Sequence, residues 1–302
     1  MSKAFGFVAY GGPETQEFLD RPVPVPGPGE LLVAVHAAGV NPADWKVRQG
    51  LFGRKTPVPR VLGLEAAGVV QVLGEGVTGF VIGDPVFGPA LGGAFAEHTL
   101  LAAAEAAEVP DDVSFAQAAT LSVAGATAYD AVAQLGLEAG RTLLVLGVAG
   151  GVGSVAAQIA VARGVTVLGT ASDQAREYVA SLGATQVRYG EGVAERIRAA
   201  APDGVDGILD LVGGEDARAA ATTLRPGGRL VSTADQATAA GLGGEYVRRT
   251  RTSAVLAELA ALVAAGAVDP HVSETFTLDR ADEAMLAVES GHARGKVVVE
   301  IR

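Results

Sequence analysis

From Thr142 to Ala162 the chain carries no charge, and four glycines, Gly147, Gly150, Gly151 and Gly153, stand in that stretch. Its length would suit a membrane span, but glycines clustered at the centre would not. A strand, TLLVLG (142–147), a tight glycine bend and a helix from about Val152 to Arg163 account for all of it. This unit constrains the fold around it, because a strand apolar on both faces must be covered on both.

The same alternation continues downstream. VTVLG (165–169) reads as a second strand and 173–182 as a helix closed by Gly183. Residues 185–189, 206–211 and 228–233 read as further strands, with helices near 192–200 and 215–224 between them. Residues 244–250 offer a sixth strand and 252–265 a long helix. Strands alternating with helices over 140–250 predict a doubly wound parallel sheet.

At the bend, Gly150, Gly151, Val152 and Gly153 would let the backbone approach a pyrophosphate closely. The helix that follows would aim its unpaired N–H groups at the negative charge. Val148 stands where a strict G-x-G-x-x-G frame has glycine, so packing alone is the alternative reading; the strand–bend–helix setting favours a dinucleotide. The second strand ends in Thr170-Ala171-Ser172, without an acid at its tip, and Arg176 lies one helical turn beyond. A hydroxyl and a guanidinium suit a 2′-phosphate. Tyr189, at the end of the third strand, adds a hydroxyl or a ring face. Asp173 works against this reading, and a solvated Arg176 is the alternative. NADPH is the expected cofactor. Gly213 and Ser232 end the fourth and fifth strands, at the carboxyl edge where such sheets bind ligands.

The first third is β-rich, with strands at 31–36 (LLVAVH) and 67–73 (AGVVQVL), and the tail ends in another, Lys296–Ile301. Pro22–Gly29 is a stiff connector or, alternatively, a proline-rich recognition peptide. The 302 residues include no cysteine, which excludes disulfides and thiolate-bound metals. A net charge of −11 argues against nucleic acid and anionic membranes as partners. The N-terminal MSKAFGFVAYGGPE lacks a secretory apolar core, so a soluble, cytoplasmic protein is expected.

Taken in order, Gly39-Val-Asn-Pro-Ala-Asp-Trp45, Gly63-Leu-Glu-Ala-Ala-Gly68, Gly83-Asp84-Pro-Val86, Gly125-Ala-Thr-Ala-Tyr129, Ala149-Gly-Gly-Val-Gly153, Gly183-Ala184, Gly227-Gly228 and Gly295-Lys-Val-Val298 resemble one family. It is the zinc-free, quinone-oxidoreductase-like branch of the medium-chain dehydrogenase/reductase superfamily, and the resemblance covers essentially the whole chain. It implies an α/β fold: a Rossmann domain (121–265) inserted into a GroES-like β-barrel domain (1–120 and 266–302). It also implies a homodimer paired through the edge strand near 244–250. Zinc members carry a cysteine near position 41 and Gly-His-Glu where this chain has Gly63-Leu64-Glu65. The four histidines, His36, His98, His271 and His292, show no ligand spacing, so no metal is expected. Without a Lewis acid, the expected chemistry is reduction by NADPH of an electron-poor acceptor, a quinone or an enone. An enoyl thioester as substrate, and a non-enzymatic NADPH-binding role, are the alternatives.

Near the acceptor and cofactor the resemblance implies Asn41, as an amide donor, and Thr127, against the nicotinamide; a turn residue before Pro42 and a helix hydroxyl bonded back to its own chain are the respective alternatives. Asp44 and Lys46 offer a proton or a donor, or else form a surface ion pair. Trp45 walls the pocket or packs in the core, and Glu65 is a structural acceptor. Lys296 reaches the cofactor from the returning tail or lies in solvent. Arg248, Arg249 and Arg251 form a basic patch, either solvated or in contact with phosphate. Loops 44–60 and 88–95 are expected to wall the substrate pocket.

Overall fold

The computed structural model describes residues 1–234, 236–250, 252–291 and 293–302. The chain divides into two units. A barrel unit takes Met1–Ala124, Arg251–Ala264 and Pro270–Arg302; a sheet unit takes Gly125–Thr250 and Ala265–Asp269. Arg251 and His292 lie outside the described residues.

The sheet unit has six strands in the spatial order Thr185–Arg188, Thr166–Ala171, Thr142–Leu146, Val205–Asp210, Leu224–Ser232, Glu245–Tyr246. Every pairing is parallel. Numbered along the chain the order is 3-2-1-4-5-6, the doubly wound arrangement of dinucleotide folds. Period-two alternation explains the apolar runs. Leu144, Leu146, Leu168, Ile208 and Leu230 join one core with Val193, Ile197, Ala217 and Ala220 of helices Val193–Ala200 and Gly214–Ala221. Leu143, Val145, Val167, Leu209 and Val231 are just as buried and point to the opposite face. Helices Ala126–Leu135 and Gly151–Ala162 pack on each other and on these strands.

Two expectations are corrected here. The sixth strand, expected over 244–250, is only Glu245–Tyr246. Beyond it the Arg248 N–H donates to Gln134 Oε1 at 2.9 Å and the Thr250 N–H to Asp130 Oδ2 at 2.7 Å. Side chains of helix Ala126–Leu135 thus take amides that a longer ladder would need. The helix Ser253–Ala264, expected with the Rossmann domain, belongs to the barrel unit. Its apolar stripe, Leu256, Leu259, Ala260 and Val263, is buried, and the helix packs on Ala103–Glu105 and Ala107–Glu108.

In the barrel unit, strand Glu30–Val40 is the spine. Glu65–Leu73 pairs antiparallel with it, with Gly39 opposite Glu65. His98–Ala102 pairs with Glu30–Ala34, and Lys296–Glu300 covers the other end, Ala37–Val40. Val272–Thr277 and Pro85–Pro89 extend the sheet outward. This register brings the start of the C-terminal strand to the end of the spine, beside Asn41.

Candidate functional site

Where the spine ends, four buried polar side chains meet. Glu65 is fully buried and Lys296 is 4% exposed. The Lys296 ammonium donates to Asn41 Oδ1 at 2.6 Å, Glu65 Oε1 at 3.1 Å and the Val40 carbonyl at 3.1 Å, which uses all three of its N–H groups. The Asn41 amide donates to Glu65 Oε1 at 2.8 Å and to the Gly39 carbonyl at 3.3 Å. Glu65 Oε2 accepts from the Val123 N–H at 2.7 Å and the Ser122 hydroxyl at 3.1 Å. Room for that carboxylate depends on Gly39, where a Cβ would collide with Glu65 Oε1 and the Ala119 carbonyl oxygen.

This geometry corrects two expectations. Asn41 has no N–H left for an acceptor carbonyl, and Lys296 is neither solvated nor free to donate to a cofactor. Both are locked on Glu65, in the acceptor role expected of it. Ser122 carries no sequence signal for this part.

Asp44 opens helix Pro42–Gln49 and is buried, so the surface ion pair with Lys46 is absent. Its carboxylate accepts from the Asn41 N–H at 2.8 Å and the Gly63 N–H at 3.2 Å. Burial pushes its pKa up to about 7, against the pull of those amides and of Lys296; Glu65 adds a further upward push. Asp44 lines a hollow of about 240 Å³ with Val47, Thr56, Arg60, Leu64 and Leu91, among others. The lining comes from segments 44–64 and 90–93, close to the two loops expected to wall a pocket. Lys46 lies outside the lining, its ammonium 5.5 Å from the centre of the Trp45 ring. Trp45 is partly buried against the barrel core. Among the described residues no three His, Asp or Glu side chains are grouped as a metal site would require.

In the sheet unit, Gly150 caps helix Gly151–Ala162 without any side-chain hydrogen bond. The first amides, at Gly151, Val152 and Gly153, have no intrahelical acceptor by geometry. A Cβ at Gly153 would strike the Gly147 carbonyl oxygen and Val148, so glycine is what lets the helix start against the strand end. A Cβ at Gly150 would meet only the Gly147 carbonyl oxygen, at 3.5 Å. The bend fits a pyrophosphate: open backbone, aligned amides and no side chain in the way.

Thr127 is buried at the second position of helix Ala126–Leu135. At the fourth strand end, Asp210 Oδ1 accepts from the Val212 N–H at 3.0 Å and the Gly213 N–H at 2.8 Å, and Oδ2 from the Ser232 hydroxyl at 2.7 Å. Ser232 is fully buried and its oxygen accepts from the Ala234 N–H at 3.1 Å. The Ser232 hydroxyl therefore organises this edge through Asp210 and has no proton to offer a cofactor. Of the basic patch, Arg248 pairs with Glu245 at 3.0 Å and Arg249 acts electrostatically on Asp130.

Past the tips of the second and third strands lies an open hollow of about 620 Å³, lined by Ser172, Asp173, Arg188, Tyr189 and Arg196 among others. Arg176 lies beside it, 3.4 Å from Asp173. Tyr189 is 53% exposed, and Arg176 and Arg188 are each 67% exposed. Arg188 and Arg196 were not read from the sequence. The position of Arg188, one residue before Tyr189 at a strand end, was the available signal.

A model of the alcohol dehydrogenase GroES-like domain matches residues 27–111, and a model of the zinc-binding dehydrogenase family matches 182–299. The human quinone oxidoreductase is 31% identical over 79% of this chain and 74% of its own length. The chloroplastic NADPH-dependent alkenal/one oxidoreductase of Arabidopsis thaliana is 35% identical over 98% of this chain and 79% of its own. Among solved structures, the quinone oxidoreductase of Coxiella burnetii superposes with a TM-score of 0.92 at 31% identity, covering 100% of this chain and 99% of that one. A mycobacterial protein solved with NADPH gives 0.90 at 30% identity, covering 99% and 100%. Sequence likeness over nearly the full length, together with the strand order and the glycine bend, shows that this chain belongs to the quinone-oxidoreductase-like proteins of the medium-chain dehydrogenase/reductase superfamily.

Proposed function

We propose that this chain is an NADPH-dependent, zinc-independent oxidoreductase that reduces quinones or α,β-unsaturated carbonyls. The observation that carries the reading is the sheet unit's carboxyl edge. An unobstructed helix start lies at the first strand, and arginines, Ser172 and Tyr189 gather at the tips of the second and third. Relatives named for NADPH and for alkenals or quinones support the same choice.

When bound, NADPH supplies the hydride. The chain's own residues do the rest. Amides at Gly151–Gly153 hold the diphosphate, and Arg176, Ser172 and Tyr189 hold the 2′-phosphate. The hollow beside Asp44 seats the acceptor among Val47, Leu64 and Leu91. With a pKa of about 7, Asp44 is protonated in roughly half of the molecules at neutral pH, and in those its longer-bonded oxygen, Oδ1, can give the proton to the reduced acceptor. We place the protein in the cytoplasm and as a homodimer through the short edge strand Glu245–Tyr246. The exposed edge supports the dimer reading.

The test follows NADPH absorbance anaerobically with a benzoquinone, a 2-alkenal, an enone and a crotonyl thioester. Turnover with a quinone or enone is expected. Turnover with the thioester alone would make this an enoyl-thioester reductase, and tight NADPH binding with no turnover would make it a binding protein.

A further inference from the structure

We infer that Arg188 is a second guanidinium for the 2′-phosphate, and that Asp173, by occupying both arginines, sets how far the protein prefers NADPH over NADH. This rests on the NADPH reading above and goes beyond it in assigning the discriminating residues.

The strand register levels Ala171, at the tip of the second strand, with Arg188 on the third. Arg188 therefore arrives from the next strand at the place where a 2′-substituent would sit, while Arg176 arrives from the helix of the second. Asp173 stands between them. Its Oδ1 is 3.4 Å from Arg176 Nη2 and its Oδ2 is 3.3 Å from Arg188 Nη1, so each oxygen holds one guanidinium. Both distances exceed those of tight charge-assisted bonds, and all three side chains are close to half exposed or more. Such pairs exchange readily for a stronger anion.

A 2′-phosphate is that anion. It brings more charge than a carboxylate and three acceptor oxygens, enough for both arginines. The third arginine of the hollow is not available for this role. Arg196 donates to the carbonyls of Arg188, Tyr189, Gly190 and Glu191 and so shapes the loop that presents Tyr189.

Displaced from the arginines, Asp173 remains beside the phosphate as a like charge. With NADH the same carboxylate meets a 2′-hydroxyl, which it can accept as a hydrogen-bond donor. Asp173 thus opposes one cofactor and favours the other, and it moderates a preference that the two arginines create.

The experiment measures affinities of the intact protein for NADPH, NADH, adenosine 2′,5′-bisphosphate and 5′-AMP by calorimetry, in the wild type, Asp173→Asn and Arg188→Ala. Asp173→Asn is expected to raise the NADPH to NADH affinity ratio about tenfold, the size of a like-charge contact of a few ångström in a wet site. Arg188→Ala is expected to lower that ratio about tenfold or more, with the bisphosphate following NADPH and 5′-AMP following NADH. Ratios that move less than about threefold in both variants, or that fall in Asp173→Asn, overturn this inference while the proposed function stands. Wild-type protein that binds neither dinucleotide overturns both.

Discussion

Lys296 and Glu65 make the most demanding prediction, because neither can lose the other quietly. Glu65→Gln leaves a buried ammonium with neutral acceptors only, the Val40 carbonyl, Asn41 Oδ1 and the new amide oxygen, and turns an NH2 toward the Val123 N–H. Removing one partner of a buried pair costs about 3–5 kcal/mol, and we expect the upper part of that range here. Lys296→Met strands a carboxylate that still accepts from Asn41, Ser122 and Val123. Three remaining donors soften the loss, so the lower part, about 3 kcal/mol, is expected. The double variant leaves no unpaired charge and should cost no more than about 4 kcal/mol, well short of the sum of the singles. Trp45 is the only tryptophan and lies in the barrel unit, so its fluorescence during urea unfolding reports this unit alone. A double variant whose loss equals the sum of the singles to within about 0.5 kcal/mol would refute the buried pair.

Asp44 gives a pH signature. Its pKa is raised from 3.8 to about 7 on folding, so the stability it contributes is present below about pH 4 and is lost as pH rises through 7. The full span is on the order of 4 kcal/mol, and Asp44→Asn should flatten the decline between about pH 4 and 7 in the same Trp45 assay; an unchanged slope would assign it to another group. Gly153→Ala should push the helix start off the Gly147 carbonyl, lower NADPH affinity more than about tenfold and destabilise the sheet unit by about 1–3 kcal/mol. Calorimetry and thermal melts check both effects, and normal binding would remove the bend from the cofactor site. Leu91→Asp should lower kcat/KM for apolar enones about tenfold with NADPH affinity unchanged. Steady-state kinetics decide whether that hollow seats the acceptor.

The sheet unit was legible because its signals are local. Strand period, glycine bends and helix stops each lie within a few residues, and the βα alternation implies the parallel sheet, whereas its 3-2-1-4-5-6 order is shown only by the fold. What failed was non-local. Nothing in residues 244–250 says that Gln134 and Asp130, over a hundred positions earlier, take the amides of Arg248 and Thr250. The helix 253–264 has an apolar stripe, but a stripe does not name the surface that it covers. Asn41 and Lys296 carry signals in the sequence, each toward the cofactor or acceptor. Their roles were misread because only the folded register shows that each already has its partners. Arg188 was overlooked because its meaning lies in the neighbouring strand.

The Glu65 carboxylate collects donors from positions 41, 122, 123 and 296, far apart along the polypeptide. Lys296 emerges from a ribosome only after every residue of the sheet unit, Gly125–Thr250 and Ala265–Asp269, has been made. Until then the Glu65 carboxylate has the donors of Asn41, Ser122 and Val123 but no positive charge beside it. The Lys296–Glu65 contact therefore belongs to the late steps by which the barrel unit is completed.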